Sequence, residues 1–193
     1  MRVIAGSAKG TRLAPVPAGT RPVSDRAREG VFSSLGEHVV DARVLDLYAG
    51  SGAMGIEALS RGAASAVFVD SAAPAIRAIR ANLARAKVAG RARVVHREVA
   101  RYLASGPGAF DLVLADPPYA TPAADLERVL SLLSGRGVLA PGGLLVLTRP
   151  AQADTGVIPL DFPVAKRLGY GDTLVLISRE ADRARDRALS GDV

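Results

Sequence analysis

The stretch Asp116-Pro117-Pro118-Tyr119 directly follows the apolar run FDLVLA at 110–115. Each proline restricts the residue before it to extended backbone, so the pair predicts a rigid bend at the end of a strand. Such a bend fixes the direction of one carboxylate and one backbone carbonyl. Two fixed acceptors suit the exocyclic amine of a nucleobase, whose nitrogen lone pair is delocalised into the ring. Accepting both N–H hydrogens favours a pyramidal nitrogen with its lone pair aimed at a methyl group, which combines alignment with electrostatic preorganisation.

The aromatic residue of this stretch suggests the other half of a nucleobase site. Tyr119 offers a ring face on which a base held outside its helix can stack. We therefore predict an amino-group clamp, with a structural Pro-Pro turn and a capping aspartate as the alternative. The predicted catalytic residues are Asp116, Pro117, Pro118 and Tyr119.

A glycine-rich loop stands between another predicted strand and a predicted helix. Gly50, Gly52 and Gly55 form a GxGxxG pattern, and Asp70 ends the next predicted strand 20 residues after Gly50. At the carboxyl edge of a parallel sheet, such glycines let the backbone approach a nucleotide-like ligand, and the acid accepts from ribose hydroxyls. The loop therefore predicts cofactor binding, with a tight structural turn as the alternative.

Asp46 distinguishes between two classes of nucleotide-like cofactor. A dinucleotide places pyrophosphate on the loop and helix N-terminus, and a carboxylate four residues ahead of Gly50 would repel it. S-adenosylmethionine carries an ammonium and a sulfonium and no phosphate, so an acid there is favourable. We therefore predict S-adenosylmethionine as the cofactor. Glu98, at the end of the third predicted strand, is either an acceptor for the adenine amino group or a solvated strand end.

The elements that position these residues alternate between strands and helices from residue 43 onward. Apolar runs predict strands at 43–49, 66–70, 92–98, 110–115 and 144–149, with helices between them. Two further strands joined across residues 169–172 predict an antiparallel C-terminal hairpin. We therefore predict an α/β, Rossmann-like fold, doubly wound around a mostly parallel seven-stranded sheet with helices on both faces.

The segment ahead of the sheet is predicted to be a small basic extension. Residues 2–16 have the pattern of a hairpin with Gly10 in its turn, and a helix follows at 25–35 with Gly36 beyond its end. Residues 1–30 carry six bases and two acids, a net charge of +4 against +6 for the whole chain. A basic segment suits contact with a phosphate backbone, although an arginine-rich genome would produce the same excess.

The candidates for RNA contact in this extension are Lys9, Arg12, Arg21, Arg26 and Arg28. For Arg26 and Arg28 the alternative is a structural ion pair with Asp25 or Glu29. We predict three regions: a basic RNA-contacting extension at 1–36, a catalytic domain at 37–179, and a disordered tail at 180–193 with too few apolar residues to pack.

Length and composition bound the remaining possibilities. A chain of 193 residues with 49% hydrophobic and 23% charged residues fits one globular domain with a small appendage. No apolar run approaches the ~20 residues of a membrane helix, and the N-terminus lacks the apolar core of a signal peptide. With no cysteine and two histidines, we predict no metal centre. We expect a cytoplasmic monomer without membrane contact.

Several segments together resemble a known family. The DPPY sequence at 116–119 matches the [D/N/S]PP[Y/F/W] motif of class I methyltransferases that modify exocyclic amines. With the N-terminal hairpin, TRPVSDRAREGVFSSL at 20–35 and LDLYAGSGAMGIEALSRGA at 45–63, the chain resembles the bacterial 16S ribosomal RNA guanine-N2 methyltransferases of the RsmD type. The resemblance covers nearly all of the chain except the tail, and the RP-x-x-DR-x-RE pattern is its most specific part.

This resemblance implies methyl transfer from S-adenosylmethionine to the N2 amine of a guanine in 16S ribosomal RNA, presented by the small subunit. It implies that Asp116, Pro117 and Tyr119 hold the guanine. Two residues depart from the family: Asp70 stands where Glu is common, and Glu98 where Asp or Asn is more usual. The predicted cofactor-binding residues are Asp46, Tyr48, Ala49, Gly50, Ser51, Gly52, Asp70, Ser71, Glu98, Val99 and Asp116.

Three other functions stay open. DPPY does not separate guanine N2 from adenine N6, so an N6-adenine or other amino-methyltransferase on RNA or DNA is the main alternative. A DNA enzyme would need additional sequence for target recognition, and none is apparent. Asp46 and DPPY disfavour a dinucleotide-dependent oxidoreductase. An intact glycine loop together with an intact clamp argues against a non-catalytic RNA-binding assembly factor.

Overall fold

The apolar runs of the chain form seven strands in a computed structural model that describes residues 1–15, 23–152 and 163–179. The sheet order is β3-β2-β1-β4-β5-β7-β6. The first five strands are parallel, and β7 pairs antiparallel with β5. The edge strand β6 pairs antiparallel with β7 and so runs in the same direction as β5. The predicted mostly parallel sheet with an antiparallel C-terminal hairpin is confirmed. The strands are β1 (Arg43–Leu47), β2 (Ser65–Asp70), β3 (Ala92–His96), β4 (Phe110–Ala115), β5 (Leu139–Pro150), β6 (Val164–Tyr170) and β7 (Thr173–Arg179).

Within the described ranges, five α-helices cover the two faces of this sheet. Because side chains alternate along a strand, Leu112 and Leu114 of β4 face one apolar core and Val113 faces the other. The helices α1, α2 and α3 pack into the first core, and α4 and α5 pack into the second. The helices are α1 (Asp25–Leu35), α2 (Ala53–Ser60), α3 (Ala73–Arg85), α4 (Val99–Ala104) and α5 (Ala123–Gly135).

The ends of two strands differ from the prediction, because the local backbone conformation sets the end of β1 and pairing with β4 sets the start of β5. β1 stops at Leu47, because Tyr48 has φ 56 and leaves the extended region. β5 begins at Leu139 rather than 144, although Pro141-Gly142-Gly143 has the composition of a turn. Its pairing with β4 carries an irregularity there, which lets the chain rejoin the sheet.

The N-terminal residues form the predicted hairpin over their described part. One antiparallel bridge joins Arg2 to Arg12, and the Val3 amide donates to the Thr11 carbonyl at 3.0 Å. Gly10 has φ 83, as its predicted turn position requires. Apolar hairpin residues, such as Val3, are buried in the core that α1, α2 and α3 share. The hairpin is therefore packed against the sheet domain.

Two buried polar side chains of α2 hold this hairpin in place. Glu57 accepts from the Ile4 and Ala5 amides at 2.8 and 3.0 Å, and Ser60 accepts from the Ala8 amide at 2.9 Å. A Cβ at Gly6 would lie 1.8 Å from the Ser60 carbonyl oxygen, so only glycine permits this approach. The predicted tail at 180–193 and the predicted RNA contact Arg21 lie outside the described residues.

Candidate active site

The carboxyl ends of β1, β2 and β4 and the start of α4 surround an open cavity of about 530 Å³. This edge of a parallel sheet is where nucleotide-like ligands bind, and the volume falls within the range of small-molecule sites. Every predicted catalytic and cofactor-binding residue except Gly52 lines the cavity. Those residues are Asp46, Tyr48, Ala49, Gly50, Ser51, Asp70, Ser71, Glu98, Val99, Asp116, Pro117, Pro118 and Tyr119.

The glycine loop has left-handed backbone at three positions between β1 and α2. Tyr48, Gly50 and Gly52 have φ of 56, 57 and 77. The Gly50 amide donates to Asp70 Oδ2 at 2.9 Å, which ties the loop to the end of β2. Gly52 is the N-cap of α2 and shapes the loop without forming part of the cavity wall. A non-glycine residue in this region, as at Tyr48, is characteristic of a constrained functional loop.

Asp46 is a buried carboxylate at the centre of the cavity wall. Its Oδ2 accepts from the Gly55 amide at 2.9 Å. A Cβ at Gly55 would lie 2.4 Å from the Phe68 ring, so glycine allows α2 to come close enough for this bond. Burial raises the pKa of Asp46 well above its usual range, and the negative charges of Asp116 and Asp70 add to this effect, while the Gly55 amide opposes it. A cation in the cavity would therefore favour the ionised form of Asp46.

Asp70 and Glu98 are held with different rigidity. The two oxygens of Asp70 accept from the Gly50 and Ala72 amides at 2.9 and 2.8 Å, so its direction is fixed. Each oxygen retains a lone pair for a ligand hydroxyl. Glu98 is 56% exposed and lies 3.5 Å from the Arg101 Nε. An exposed pair of this kind orients a side chain weakly.

The DPPY turn faces the glycine loop across the cavity. The Asp116 amide donates to the Leu47 carbonyl at 3.4 Å, and the Thr121 amide donates to the Pro118 carbonyl at 2.9 Å. Burial raises the pKa of Asp116 to about 7. Tyr119 is 45% exposed, and its hydroxyl lies 3.2 Å from Thr173 Oγ1. The turn thus presents a titratable carboxyl group and an open aromatic face at one cavity.

Three of the predicted RNA contacts, Lys9, Arg12 and Arg26, are exposed. The prediction for Arg28 is wrong, because its side chain is fully buried. Its Nη2 donates to the Arg2 carbonyl and to Asp25 Oδ1, the latter at 3.0 Å, so the alternative of an ion pair with Asp25 is the observed arrangement. Burial lowers the pKa of this guanidinium, and the charges of Asp25 and Glu57 oppose the shift.

One residue that supports the glycine loop was not among the predicted site residues. Asn82 of α3 is fully buried, and its Nδ2 donates to the Ser51 carbonyl at 2.9 Å. Asn82 lies three residues after Ile79 on the apolar face of α3. A single amide side chain among apolar residues was the feature of the sequence that could have indicated a buried hydrogen-bonding role. Five further residues line the cavity and were not predicted: Val23, Ala53, Met54, Ala72 and Ala120.

Neither a metal-binding cluster nor a membrane-spanning helix is found in the described residues. Over residues 1–15, 23–152 and 163–179, no group of three or more acidic or histidine side chains is placed to hold a metal ion. Within the same ranges, no helix has both the length and the apolar character needed to cross a membrane.

Known proteins resemble this chain over nearly its whole length. A family model described as conserved hypothetical protein 95 matches residues 1–179. Ribosomal RNA small subunit methyltransferase D of Escherichia coli K12 is 35% identical over 189 residues, which are 96% of this chain and 93% of that protein. The putative rRNA methyltransferase YlbH of Bacillus subtilis is 34% identical, over 93% and 99%. The solved structure of the putative methyltransferase yhhF from Escherichia coli has a TM-score of 0.81 at 34% identity, covering 93% of this chain and 97% of that one.

Proposed function

This chain belongs to the family described as conserved hypothetical protein 95 and is an RsmD-type methyltransferase, and we propose that it methylates the N2 amine of a guanine in 16S ribosomal RNA. The methyl donor in this proposal is S-adenosylmethionine. The relatives named as ribosomal RNA methyltransferases support the class of acceptor. The observation that carries the reaction is the position of the DPPY turn and the glycine loop on one cavity.

The charge of the cavity supports the choice of methyl donor. Asp46, Asp70 and Asp116 all line it, and the pKa of Asp46 is raised because burial and the other two carboxylates disfavour its charge. A ligand with an ammonium and a sulfonium would neutralise this cluster, whereas a pyrophosphate would be repelled by it. In this assignment Asp46 and Gly50 hold the methionine end of the donor, with Gly52 shaping the loop from behind. Ser51 and Ala49 complete that loop.

The remaining cofactor residues line the part of the cavity that an adenosine group would occupy. Asp70 accepts from the ribose hydroxyls, because its carboxylate is already oriented by two backbone amides. Ser71 lies beside it, and Val99 gives the adenine a buried apolar contact. Glu98 accepts from the adenine amino group and is the least constrained member of the set. Tyr48 closes the wall beneath them.

The chemistry follows from the clamp. Held by Asp46 and Gly50, S-adenosylmethionine would supply an electrophilic methyl group on a positively charged sulfur and would leave as the neutral thioether, which retains the electron pair of the C–S bond. The Asp116 carboxylate accepts one N–H of the guanine amine and the Pro117 carbonyl accepts the other, while Pro118 keeps the bend rigid. The surplus proton of the methylated amine passes to Asp116, whose pKa of about 7 lets it release that proton to water. Tyr119 stacks on the base.

The basic extension supplies affinity in this proposal. Residues 1–36 contact the RNA, and 37–179 form the catalytic domain. Lys9, Arg12 and Arg26 are exposed on this extension and suit phosphate contacts, which add affinity without reading sequence.

The test is to identify the methylated product. Purified protein with radiolabelled S-adenosylmethionine is given protein-free 16S RNA, small ribosomal subunits from cells lacking the enzyme, and plasmid DNA. We expect label in N2-methylguanosine from the ribosomal material. Label in N6-methyladenine would keep the clamp and overturn the acceptor, and cofactor binding without label in any acceptor would favour an assembly factor.

A further inference from the structure

The largest charge imbalance of the chain lies in its middle rather than at its N-terminus. Residues 71–97 contain seven basic residues and neither aspartate nor glutamate, a net charge of +7 where the whole chain has +6. The seven residues are Arg77, Arg80, Arg85, Lys87, Arg91, Arg93 and Arg97.

Four of these cations, Arg77, Arg80, Arg85 and Lys87, lie on or just after α3. All four side chains are exposed, and in the described part of the chain none makes a hydrogen bond or an ion pair. Arg91 behaves differently, since it donates to the Leu59 and Ala63 carbonyls and is held as a structural group. The four cations of α3 are therefore available to a ligand.

The stability of the helix does not account for these residues. No acid stands three or four positions from Arg77, Arg80 or Arg85, so no helix-stabilising ion pair forms. Arg77 and Arg80 are neighbours at i,i+3 and repel each other. Only Arg85 gains from the negative end of the helix dipole, because it lies in the last turn. A row of unpaired like charges suits a polyanionic partner.

Helix α3 extends from the active-site cavity at its N-terminal end to the N-terminal hairpin at its C-terminal end. Ser71 and Ala72, immediately before the helix, line the active-site cavity. The 13-residue helix spans ~20 Å. Past its other end is a shallow cavity of about 420 Å³ between the hairpin turn and the residues after α3. Its wall includes Ser7, Lys9, Thr11, Arg85 and Lys87.

The composition of that second cavity fits a phosphate group. Lys9, Arg85 and Lys87 supply positive charge, Ser7 and Thr11 supply hydroxyl donors, and none of the described residues that line it is an acid. Such groups bind the phosphate oxygens of nucleic acids. The cavity also joins the cations of α3 to Lys9 of the basic extension, so the two basic regions form one surface.

We propose that the exposed side of α3, together with the cavity at its end, is a docking surface for the phosphate backbone of the acceptor RNA. The surface begins one turn from the rim of the active-site cavity and ends at the hairpin. It contributes affinity rather than base reading, because its groups match phosphate and none is placed to distinguish bases. This inference rests on the proposed function for the identity of the RNA.

A pair of charge-matched double variants tests this surface. Arg77→Gln with Arg85→Gln removes two cations from α3, and Arg128→Gln with Arg136→Gln removes two exposed cations, equally spaced, from the α5 region on the opposite face. Affinity for protein-free 16S RNA is measured by filter binding over a salt series. Each phosphate contact with single-stranded RNA contributes ~0.7 to the salt slope. We expect the α3 variant to lose ~1.4 of slope and on the order of tenfold in affinity at 0.15 M salt.

The α5 variant is the control for RNA affinity, and cofactor affinity shows whether both variants keep an intact active-site cavity. The α5 variant should stay within ~2-fold of wild type, and both variants should bind S-adenosylmethionine with unchanged affinity by calorimetry. An unchanged slope in the α3 variant, or equal losses in both variants, would overturn the docking surface. If the wild type transfers no methyl group to RNA, the proposed function fails, while the binding comparison still decides the role of α3.

Discussion

The side chain of Asn82 joins the glycine loop to the N-terminal hairpin. Its Nδ2 donates to the Ser51 carbonyl at 2.9 Å and to the Ala14 carbonyl at 2.9 Å, and its Oδ1 accepts from the Ala14 amide at 2.8 Å. All three bonds are made by one fully buried amide. The geometry of the glycine loop therefore depends on the N-terminal hairpin, which carries the exposed Lys9 and Arg12.

Asn82→Ala should weaken cofactor binding as well as stability. It leaves the Ser51 carbonyl and both Ala14 backbone groups without partners, at a cost of ~2–3 kcal/mol in the free energy of unfolding. We expect calorimetry to show at least ~5-fold weaker binding of S-adenosylmethionine, since the loop loses its support. Ser60→Ala is the control, because Ser60 bonds the hairpin and not the glycine loop. Equal cofactor affinity in the two variants would mean that Asn82 is only a structural residue.

Arg28→Ala should reduce stability without changing the salt dependence of RNA binding. The change removes bonds to the Arg2 carbonyl and Asp25 and leaves the buried Glu57 with less compensating charge. The Asp25 side chain is 44% exposed, so the cost comes from the lost bonds of Arg28 and the cavity that it leaves. We expect a loss of ~1–3 kcal/mol in the free energy of unfolding, measurable by urea denaturation. Arg26→Ala, on the exposed side of the same helix, should change stability by less than ~0.5 kcal/mol and reduce the salt slope. The reverse pattern would contradict the burial of Arg28.

Asp116 should make the cofactor-free protein less stable as the pH rises. Burial raises the pKa of its carboxyl group from 3.8 to about 7 in the folded state, so folding favours the protonated form. Its contribution is therefore fully present below pH ~4 and is lost as the pH rises towards 7. The Asp116→Asn side chain cannot titrate. As the pH rises from ~4 towards 7, the unfolding free energy of wild type should therefore fall relative to that of the variant. A pH-independent difference would show that Asp116 titrates normally.

The bounds of β4 and α1 could be predicted from local sequence, because proline, glycine or a capping serine stands at their ends. β4 matches its predicted range, because an apolar run is bounded by glycines before it and Asp-Pro-Pro after it. α1 also matches, with Ser24 capping its start and Gly36 ending it. The position of Asp46 near the end of a buried strand, just ahead of a glycine loop, was sufficient to bring it to the cavity wall.

Features that depend on distant partners could not be predicted in the same way. The burial of Arg28 depends on the Arg2 carbonyl, 26 positions away, and the role of Asn82 depends on Ala14, 68 positions away. The early end of β1 depends on a tyrosine in left-handed backbone, which no residue type predicts. The basic run of α3 is different, because it was visible in the sequence and needed the structure only to show that its cations are unpaired.

If the DPPY clamp acts on the acceptor amine, the single-turnover methyl-transfer rate of Asp116→Ala should fall far more than its affinity for S-adenosylmethionine. The measurement uses the wild-type acceptor and saturating S-adenosylmethionine, with cofactor affinity measured separately. We expect the rate to fall by ~100-fold or more while cofactor affinity changes by less than ~3-fold, because Asp116 aligns the amine. Glu98→Ala, on the same cavity, should weaken cofactor affinity and leave the rate at saturating cofactor within ~3-fold of wild type, because it removes an acceptor for the adenine amine only. Equal losses of rate and affinity in Asp116→Ala would mean that the DPPY clamp does not act on the amine.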